Sequence, residues 1–205
     1  MNIIKRFVLS DMGVNSFLLD CNGKTVLIDA PAGVNRVTSY LDQNDLKLDY
    51  VLITHAHFDH ILGANELVAA GYIKEVYVSP NEIEMFTDNS EAGNLGGKYG
   101  LDIKFDGQIK SLEELDTVSL GLEVAYIEGH SIQSAVFIFN DEKIIFSGDT
   151  LFKDSIGRSD FSYGNYELLK DGINQKIMNK EDYKVYPGHG FATSTTLEKN
   201  NPLLG

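Results

Sequence analysis

The sequence predicts an α/β (α+β) fold in which two β-sheets pack together and helices cover both outer faces. Three observations favour this fold. In the first half of the chain, apolar runs of strand length alternate with segments of helical periodicity. Between residues 115 and 147 the pattern changes to consecutive strand-like runs. A helical segment and a further strand follow, so each half of the chain provides its own sheet and helices.

The first half opens with a predicted β-hairpin. The apolar runs 17–19 and 26–28 flank an Asn-Gly dipeptide at 22–23, which is the dipeptide most typical of a two-residue hairpin turn. Residues 34–44 space apolar side chains at helical intervals and predict a helix. The apolar run 50–53 then predicts a buried strand.

The rest of the first half continues this alternation, with a predicted helix over 61–70 and a strand over 76–78. The segment from Ser79 to Glu82 has the pattern of a capping box with proline at the first helical position, which predicts a helix to about Thr87. Residues 88–101 contain four glycines and little apolar periodicity. We expect a mobile surface loop there, able to cover a site.

The second half is rich in strand signals, and helical periodicity returns only near its end. The predicted elements are strands over 122–127, 135–139 and 143–146, a helix over 166–178, a strand over 184–186 and a closing helix near 196–200.

Length and composition predict one globular domain over residues 1–205, because 43% of the residues are hydrophobic and 23% are charged. Thirty acidic and seventeen basic side chains give a formal charge of −13, which repels phosphate backbones and anionic lipids. We therefore expect no nucleic-acid or membrane partner. Cys21 is the only cysteine, and no apolar run approaches the roughly 20 residues of a membrane-spanning helix. These features predict a cytoplasmic protein, and nothing beside Cys21 indicates a reactive thiolate.

Histidines cluster after one predicted strand. Three of the five lie within six residues, as His55, His57 and His60, directly after the apolar run that ends at Ile53. Residues two apart in an extended segment point to the same side, so His55 and His57 can present imidazoles to one point. Asp59 lies in the same hexapeptide, where it and His60 can bind a neighbouring metal or orient the first pair.

The remaining histidines, His130 and His189, also lie at predicted strand ends, each after a glycine that permits close approach of the backbone. Asp149 follows another apolar strand and places a carboxylate where it can bridge two cations. Imidazole and carboxylate donors without thiolates favour zinc, iron or manganese. Two such ions polarise a carbonyl and activate water, which predicts a hydrolase acting on a small molecule. Arg158, nine residues after Asp149, is a candidate for contact with an anionic substrate.

The residues from His55 to His60, followed in order by His130, Asp149 and His189, resemble the metallo-β-lactamase superfamily. The runs Gly148-Asp149-Thr150, Gly157-Arg158-Ser159-Asp160 and Pro187-Gly188-His189-Gly190 are similar to its glyoxalase II-like bacterial branch. This resemblance implies a four-layer αββα sandwich and two divalent metals, most often zinc. It implies that His55, His57 and His130 bind one ion and that Asp59, His60 and His189 bind the other. Asp149 would lie between them.

The same resemblance implies a thioesterase of the hydroxyacylglutathione hydrolase (glyoxalase II) type. In that family a metal-bridging hydroxide attacks a thioester such as an S-2-hydroxyacylglutathione, and Asp59 and Asp149 are the carboxylates in catalytic positions.

Three features depart from that pattern. Residues 128–133 read Glu-Gly-His-Ser-Ile-Gln, whereas the family usually has proline before the Gly-His pair and Thr-Pro-Gly after it, so we expect a reshaped loop. The chain is too short for the additional helical domain that grips glutathione, which leaves the thiol carrier open. The run 157–161 is also similar to persulfide dioxygenases, which bind a single iron. A mononuclear iron persulfide dioxygenase is therefore the alternative function.

Overall fold

The predicted hairpin forms at the start of the first sheet. In the computed structural model, which describes residues 1–205, β2 (Val14–Cys21) and β3 (Lys24–Ile28) pair antiparallel. The turn residues Asn22 and Gly23 have φ of 54° and 83°, the positive values that a type I′ turn requires. A strand that the sequence pattern did not predict, β1 (Asn2–Leu9), pairs antiparallel with the other edge of β2.

The first sheet extends from this hairpin into a parallel half. Its remaining strands are β4 (Tyr50–Leu52), β5 (Glu75–Val78) and β6 (Gln108–Ser111), in the order β1-β2-β3-β4-β5-β6. The helices that connect them are α1 (Asn35–Gln43), α2 (Phe58–Ile61) and α3 (Ala64–Ala69). Buried side chains such as Val37, Leu41 and Leu67 pack these helices on one face of the sheet. Their helical spacing is the reason why the segments fold as helices here.

The second sheet is formed by the second half of the chain, in the order β13-β12-β9-β8-β7. Its strands are β7 (Glu123–Ile127), β8 (Ser134–Phe139), β9 (Ile144–Gly148), β12 (Lys184–Pro187) and β13 (Thr193–Ser194). A small hairpin of β10 (Leu151–Phe152) and β11 (Ser155–Ile156) follows β9. Leu169 and Ile173 of α4 (Tyr166–Lys176) pack on the outer face of the sheet. The chain closes with α5 (Thr195–Glu198).

An apolar layer joins the two sheets. Phe17 of β2 lies 4.9 Å from Phe146 of β9 and 5.4 Å from Tyr186 of β12, measured between ring centroids. Phe137 and Phe139 of β8 belong to the same buried cluster. The side chains on the other faces of the sheets pack against helices, so the layers follow the order helix, sheet, sheet, helix. The predicted αββα sandwich is confirmed.

Two helix predictions in the first half need correction. The segment from Ser79 is not a capping box, because only a short 3₁₀ turn forms over Pro80–Glu82 and the Ser79 side chain caps nothing. The carboxylate of Glu82 is instead directed into the protein interior. The predicted helix over 61–70 starts earlier and is interrupted at Gly63, whose N–H donates to Ala30 O at 2.8 Å.

The glycine-rich segment 88–101 is only partly a surface loop. Residues 93–96 are buried, and a 3₁₀ turn forms over Gly96–Tyr99. The N–H of Phe58 donates to Asn94 O at 2.8 Å, so the segment is attached to the start of α2. It lies beside the cluster of histidines, as expected for a segment that borders a site. Elsewhere in the fold, none of the helices is long and apolar enough to cross a membrane.

The contact of Phe17 with the second sheet predicts a large effect on stability. Replacing Phe17 by alanine should lower the free energy of unfolding by about 3–5 kcal/mol, because a fully buried aromatic side chain is removed from the layer between the sheets. Urea unfolding followed by circular dichroism measures this change. The matched control is Phe191→Ala, at a side chain that is 77% exposed. A loss below about 1 kcal/mol for Phe17→Ala would mean that this layer is not what joins the sheets.

Candidate metal centre

The candidate ligands meet at one edge of the sandwich, where strands of both sheets end. In the second sheet, β7, β9 and β12 run in the same direction, so their carboxyl ends share this edge. The end of β4 reaches it from the first sheet. The structure brings together all seven residues that the sequence singled out: His55, His57, Asp59, His60, His130, Asp149 and His189.

His55, His57 and His130 form the first group. The Nε2 atoms of His55 and His130 are 3.2 Å apart, and the ring centroids of His57 and His130 are 4.7 Å apart. All three side chains are buried. Each offers a ligand atom within 4.8 Å of the others, a spacing that suits coordination of one cation.

Asp59, His60 and His189 form the second group, and the same 4.8 Å limit applies to their ligand atoms. Asp59 Oδ2 lies 3.3 Å from His189 Nε2 and 3.8 Å from His60 Nε2. Asp149 lies between the two groups. Its Oδ2 is 3.8 Å from His130 Nε2 and 3.5 Å from His189 Nε2, while its Oδ1 is 3.5 Å from His60 Nε2.

The carboxylate of Asp29 orients one histidine from each group. Asp29 Oδ2 accepts hydrogen bonds from His60 Nδ1 at 2.8 Å and from Thr54 Oγ1 at 2.9 Å. Because Thr54 donates its only hydroxyl hydrogen to Asp29, its oxygen accepts the hydrogen bond from His55 Nδ1 at 3.0 Å. Both histidines therefore carry their hydrogen on Nδ1 and turn an unprotonated Nε2 towards the centre.

The other three histidines are held in the same manner by partners outside the cluster. His130 Nδ1 donates to Arg158 O at 2.9 Å, and His189 Nδ1 donates to Met12 O at 3.1 Å. His57 uses its other nitrogen, since Nε2 lies 2.7 Å from the Tyr163 hydroxyl. In each ring one nitrogen is thus engaged, and the second is left for the centre.

The environment keeps the first group uncharged. Burial lowers the pKa of His55 well below its usual value, and the neighbouring imidazoles lower it further. Burial and the proximity of His130 likewise lower the pKa of His57. For His130, burial lowers the pKa more than the carboxylate of Asp149 raises it. Neutral imidazole is the form that binds a metal ion.

Carboxylates dominate the second group. Burial disfavours the charged form of His60, but Asp149, Asp29 and Asp59 together raise its pKa well above the usual value. Burial also opposes ionisation of Asp149, yet His60, His130 and His189 lower the pKa of this carboxyl. This half of the centre is therefore built to hold positive charge against carboxylates.

Glu82 joins the two loops that carry the first group. Its Oε2 accepts the N–H of Ala56, between His55 and His57, at 2.6 Å. Its Oε1 accepts the N–H of Gln133 at 3.0 Å and the hydroxyl of Ser131, next to His130. The carboxylate is buried, and that burial raises the pKa of Glu82. One side chain from the turn that follows β5 therefore positions candidate ligands from both sheets.

Two glycines leave room for the ligands. A Cβ atom on Gly188 would lie 2.2 Å from Asp149 Oδ1 and 2.8 Å from His60 Cε1. A Cβ atom on Gly157 would lie 1.9 Å from Asp149 O and 2.9 Å from His130 Nδ1. Any side chain at either position would displace candidate ligands.

Arg158 lies at the mouth of the cavity above the centre. Its guanidinium donates two hydrogen bonds to Asp160, at 2.9 and 3.0 Å, and lies 4.8 Å from the ring centroid of Phe161. Its role as a substrate contact stays a prediction. Cys21 is buried in the layer between the sheets, and burial raises the pKa of its thiol to about 12.

Four residues of this site escaped the sequence analysis: Asp29, Thr54, Glu82 and Tyr163. Asp29 had a usable signal, because it follows the apolar run 26–28 just as Asp149 follows β9. Glu82 fits the pattern of a capping box, so its local sequence does not indicate a position beside the histidines. Nothing near Tyr163 in the sequence indicates that its hydroxyl meets His57, since the two residues are 106 positions apart.

Comparison with known proteins shows the family of the chain. A sequence model described as the Metallo-beta-lactamase superfamily matches residues 9–189. The chain belongs to this superfamily. A relative from Bacillus subtilis, named "Probable metallo-hydrolase YqgX", is 30% identical over 205 residues, covering 98% of this chain and 96% of the relative.

Two further proteins are similar to this chain over most of its length. The "Hydroxyacylglutathione hydrolase GloC" of Haemophilus influenzae is 30% identical, covering 92% of this chain and 91% of that protein. A crystal structure described as TTHA1623 in a di-iron-bound form superimposes with a TM-score of 0.87 at 28% identity. It covers 98% of this chain and 100% of that one.

Gly188 provides a test of the space that the centre needs. Gly188→Ala should lower zinc occupancy by more than half, because its Cβ would push into Asp149 and His60. Elemental analysis after dialysis against zinc and then buffer measures the occupancy. Gly190→Asn is the matched control, since open space surrounds Gly190 and asparagine tolerates its φ of 74°. Unchanged occupancy in Gly188→Ala would rule out the tight packing inferred here.

Glu82 provides a test of ligand positioning. Glu82→Gln should weaken zinc binding by about 10–100-fold. The NH₂ group of the new amide would face one of the backbone N–H groups that now donate to the carboxylate, so that hydrogen bond would be lost. Competition with a chromophoric chelator measures the affinity. Glu84→Gln, at an exposed position two residues away, is the control. Ser131→Ala removes one donor to the same carboxylate and should weaken binding in the same direction. Wild-type affinity in both Glu82→Gln and Ser131→Ala would contradict the positioning role.

Proposed function

We propose that the protein is a dinuclear metal-dependent hydrolase that cleaves thioesters. In this proposal His55, His57 and His130 hold one cation, and Asp59, His60 and His189 hold the second. Asp149 contributes to both. The observation that carries the proposal is the convergence of two ligand triads on Asp149, with the remaining nitrogen of every histidine engaged by a partner outside the cluster.

Two buried polar atoms support a cation at this place. His60 Nε2 and Asp149 Oδ1 are inaccessible to solvent and have no hydrogen-bond partner. Such atoms carry a large free-energy cost unless another group satisfies them. A divalent cation between them would satisfy both. The imidazole and carboxylate donors, without any thiolate, suit zinc, iron or manganese.

The residues around the centre are consistent in their chemistry with cleavage of a thioester. Two bound cations would polarise the thioester carbonyl and lower the pKa of a water molecule to about 7. Asp59 and Asp149 line the cavity floor, and we assign them the catalytic carboxylate roles of orienting that water and accepting its proton. Met12 O and Arg158 O keep His189 and His130 in place, because each accepts the Nδ1 hydrogen of its histidine.

The choice of a thioester is supported by the relative named as a hydroxyacylglutathione hydrolase, which matches most of this chain. The run from Gly157 to Phe161 also keeps a second reaction open, in which a single iron acts on a persulfide with dioxygen. The two functions differ in metal count and in the need for oxygen, so one set of measurements separates them.

The deciding experiment is elemental analysis of untagged protein together with assays of thioester hydrolysis, with and without dissolved oxygen. We expect two metal ions per chain and hydrolysis that does not depend on oxygen. A persulfide assay with an oxygen electrode serves as the control reaction. One iron per chain with oxygen consumed only in the presence of persulfide would overturn the proposal in favour of the dioxygenase.

Asp149 carries the strongest prediction for a single residue. Asp149→Ala should lower both metal occupancy and kcat/KM, the latter by more than about 100-fold, because even partners that merely orient metal ligands are worth about 10–100-fold. Asp141→Ala, at an exposed turn position, is the control. Full retention of metal and rate in Asp149→Ala would contradict the assignment of Asp149 to both cations.

A further inference from the structure

The cavity above the candidate centre has an apolar wall. Its volume is about 570 Å³, and its floor includes His57, Asp59, His130, Asp149 and His189. The wall and rim are largely apolar, and they include Met12, Tyr99, Phe152, Phe161 and Phe191. These side chains come from four separate segments of the chain, so the apolar character belongs to the assembled cavity and to no single motif.

Several of these apolar side chains are exposed to solvent. The exposed fraction is 48% for Met12, 56% for Tyr99 and 77% for Phe191. They border one cavity that leads to the candidate centre. Grouped apolar side chains that face water around a concavity are typical of a binding site for an apolar ligand.

The cavity offers little to a polyanionic ligand. Only two cationic side chains line it, Lys153 and Arg158, and the charge of Arg158 is compensated by its two hydrogen bonds to Asp160. Lys153 is the single lining cation that forms no ion pair. The net charge of −13 further disfavours the approach of an anion.

We propose that the substrate is a thioester with an apolar alkyl or aryl group beside the scissile carbonyl, and that Tyr99 and Phe191 select this group. The inference rests on the proposed function and specifies its substrate class. It differs from an S-2-hydroxyacylglutathione, whose glutathione part carries two carboxylates and whose acyl group is short and polar. The apolar group can belong to the acyl side or to the thiol side, and the two series of substrates in the test distinguish these cases.

The test compares two series of substrates with the metal-loaded protein. In the first series the acyl group varies from acetyl to hexanoyl on one neutral thiol, N-acetylcysteamine. In the second series the acyl group stays acetyl, and the thiol varies from ethanethiol to hexanethiol. In one of the series kcat/KM should rise by about fourfold per methylene, or about 200-fold over four methylenes, which corresponds to full burial of each group.

Variants of the rim test whether these side chains produce the preference. Tyr99→Ala and Phe191→Ala should each reduce the ratio of kcat/KM for the long and short substrates by about fivefold to tenfold. Leu197→Ala is the matched control, because Leu197 is 62% exposed and lies outside the cavity. Calorimetry with the S-hexyl thioether of N-acetylcysteamine, which cannot be hydrolysed, should give weaker binding to the two rim variants than to wild type and Leu197→Ala.

The outcomes separate this inference from the proposed function. Hydrolysis of all thioesters with equal kcat/KM in both series would overturn the apolar preference and leave the thioesterase intact. A higher kcat/KM for an S-2-hydroxyacylglutathione, lost in Arg158→Ala, would overturn it in favour of anion recognition. No hydrolysis of any thioester by protein with two bound metals would overturn the proposed function and this inference with it.

Discussion

The geometry of the site depends on the hydrogen bonds that the buried carboxylate of Asp29 accepts. It follows β3 and accepts hydrogen bonds from Thr54 and His60, which follow β4. Through Thr54 it also determines which nitrogen of His55 carries the hydrogen. A carboxylate in this position tolerates burial because all of its contacts are donors. Two parallel strands of the first sheet are thereby joined to ligands of both candidate cations.

Glu82 connects loops of the two sheets in the same way, by accepting hydrogen bonds on a buried carboxylate. The backbone N–H groups of Ala56 and Gln133 lie on loops from different sheets, and both donate to one carboxylate. Together with Asp29 it builds a frame of buried acids around the histidines. Because the frame uses backbone donors, it positions the loops themselves as well as the side chains they carry. This explains how residues from four strand ends form one centre.

The site separates charge from apolar surface. Acidic groups lie beneath and among the histidines, where positive charge would be held, whereas aromatic side chains surround the opening. The pKa directions of the histidines follow their surroundings, because burial lowers the pKa of His55, His57 and His130, whereas nearby carboxylates raise the pKa of His60 and His189. A substrate that enters the cavity therefore passes apolar surface before its reacting group reaches the polar floor.

The sequence determined the features that depend on local pattern. The hairpin around Asn22 and Gly23, the amphipathic helix α1 and the strand-end positions of the seven candidate ligands all follow from turn chemistry and periodicity. The order of those ligands along the chain was sufficient to identify the superfamily, which the comparisons confirm.

The tertiary structure decided what depends on partners distant in the chain. Ser79 to Glu82 has the local pattern of a helix cap, but the cap does not form. The Glu82 carboxylate instead accepts hydrogen bonds from the N–H groups of Ala56 and Gln133, which are 26 and 51 residues away in the chain. The edge strands β1 and β6 likewise exist because neighbouring strands supply their hydrogen bonds. The apolar rim could not be read from the sequence, because its residues come from separate segments and meet only when the two sheets pack. Local sequence encodes propensity, whereas the satisfaction of buried polar groups and the assembly of a cavity are properties of the whole fold.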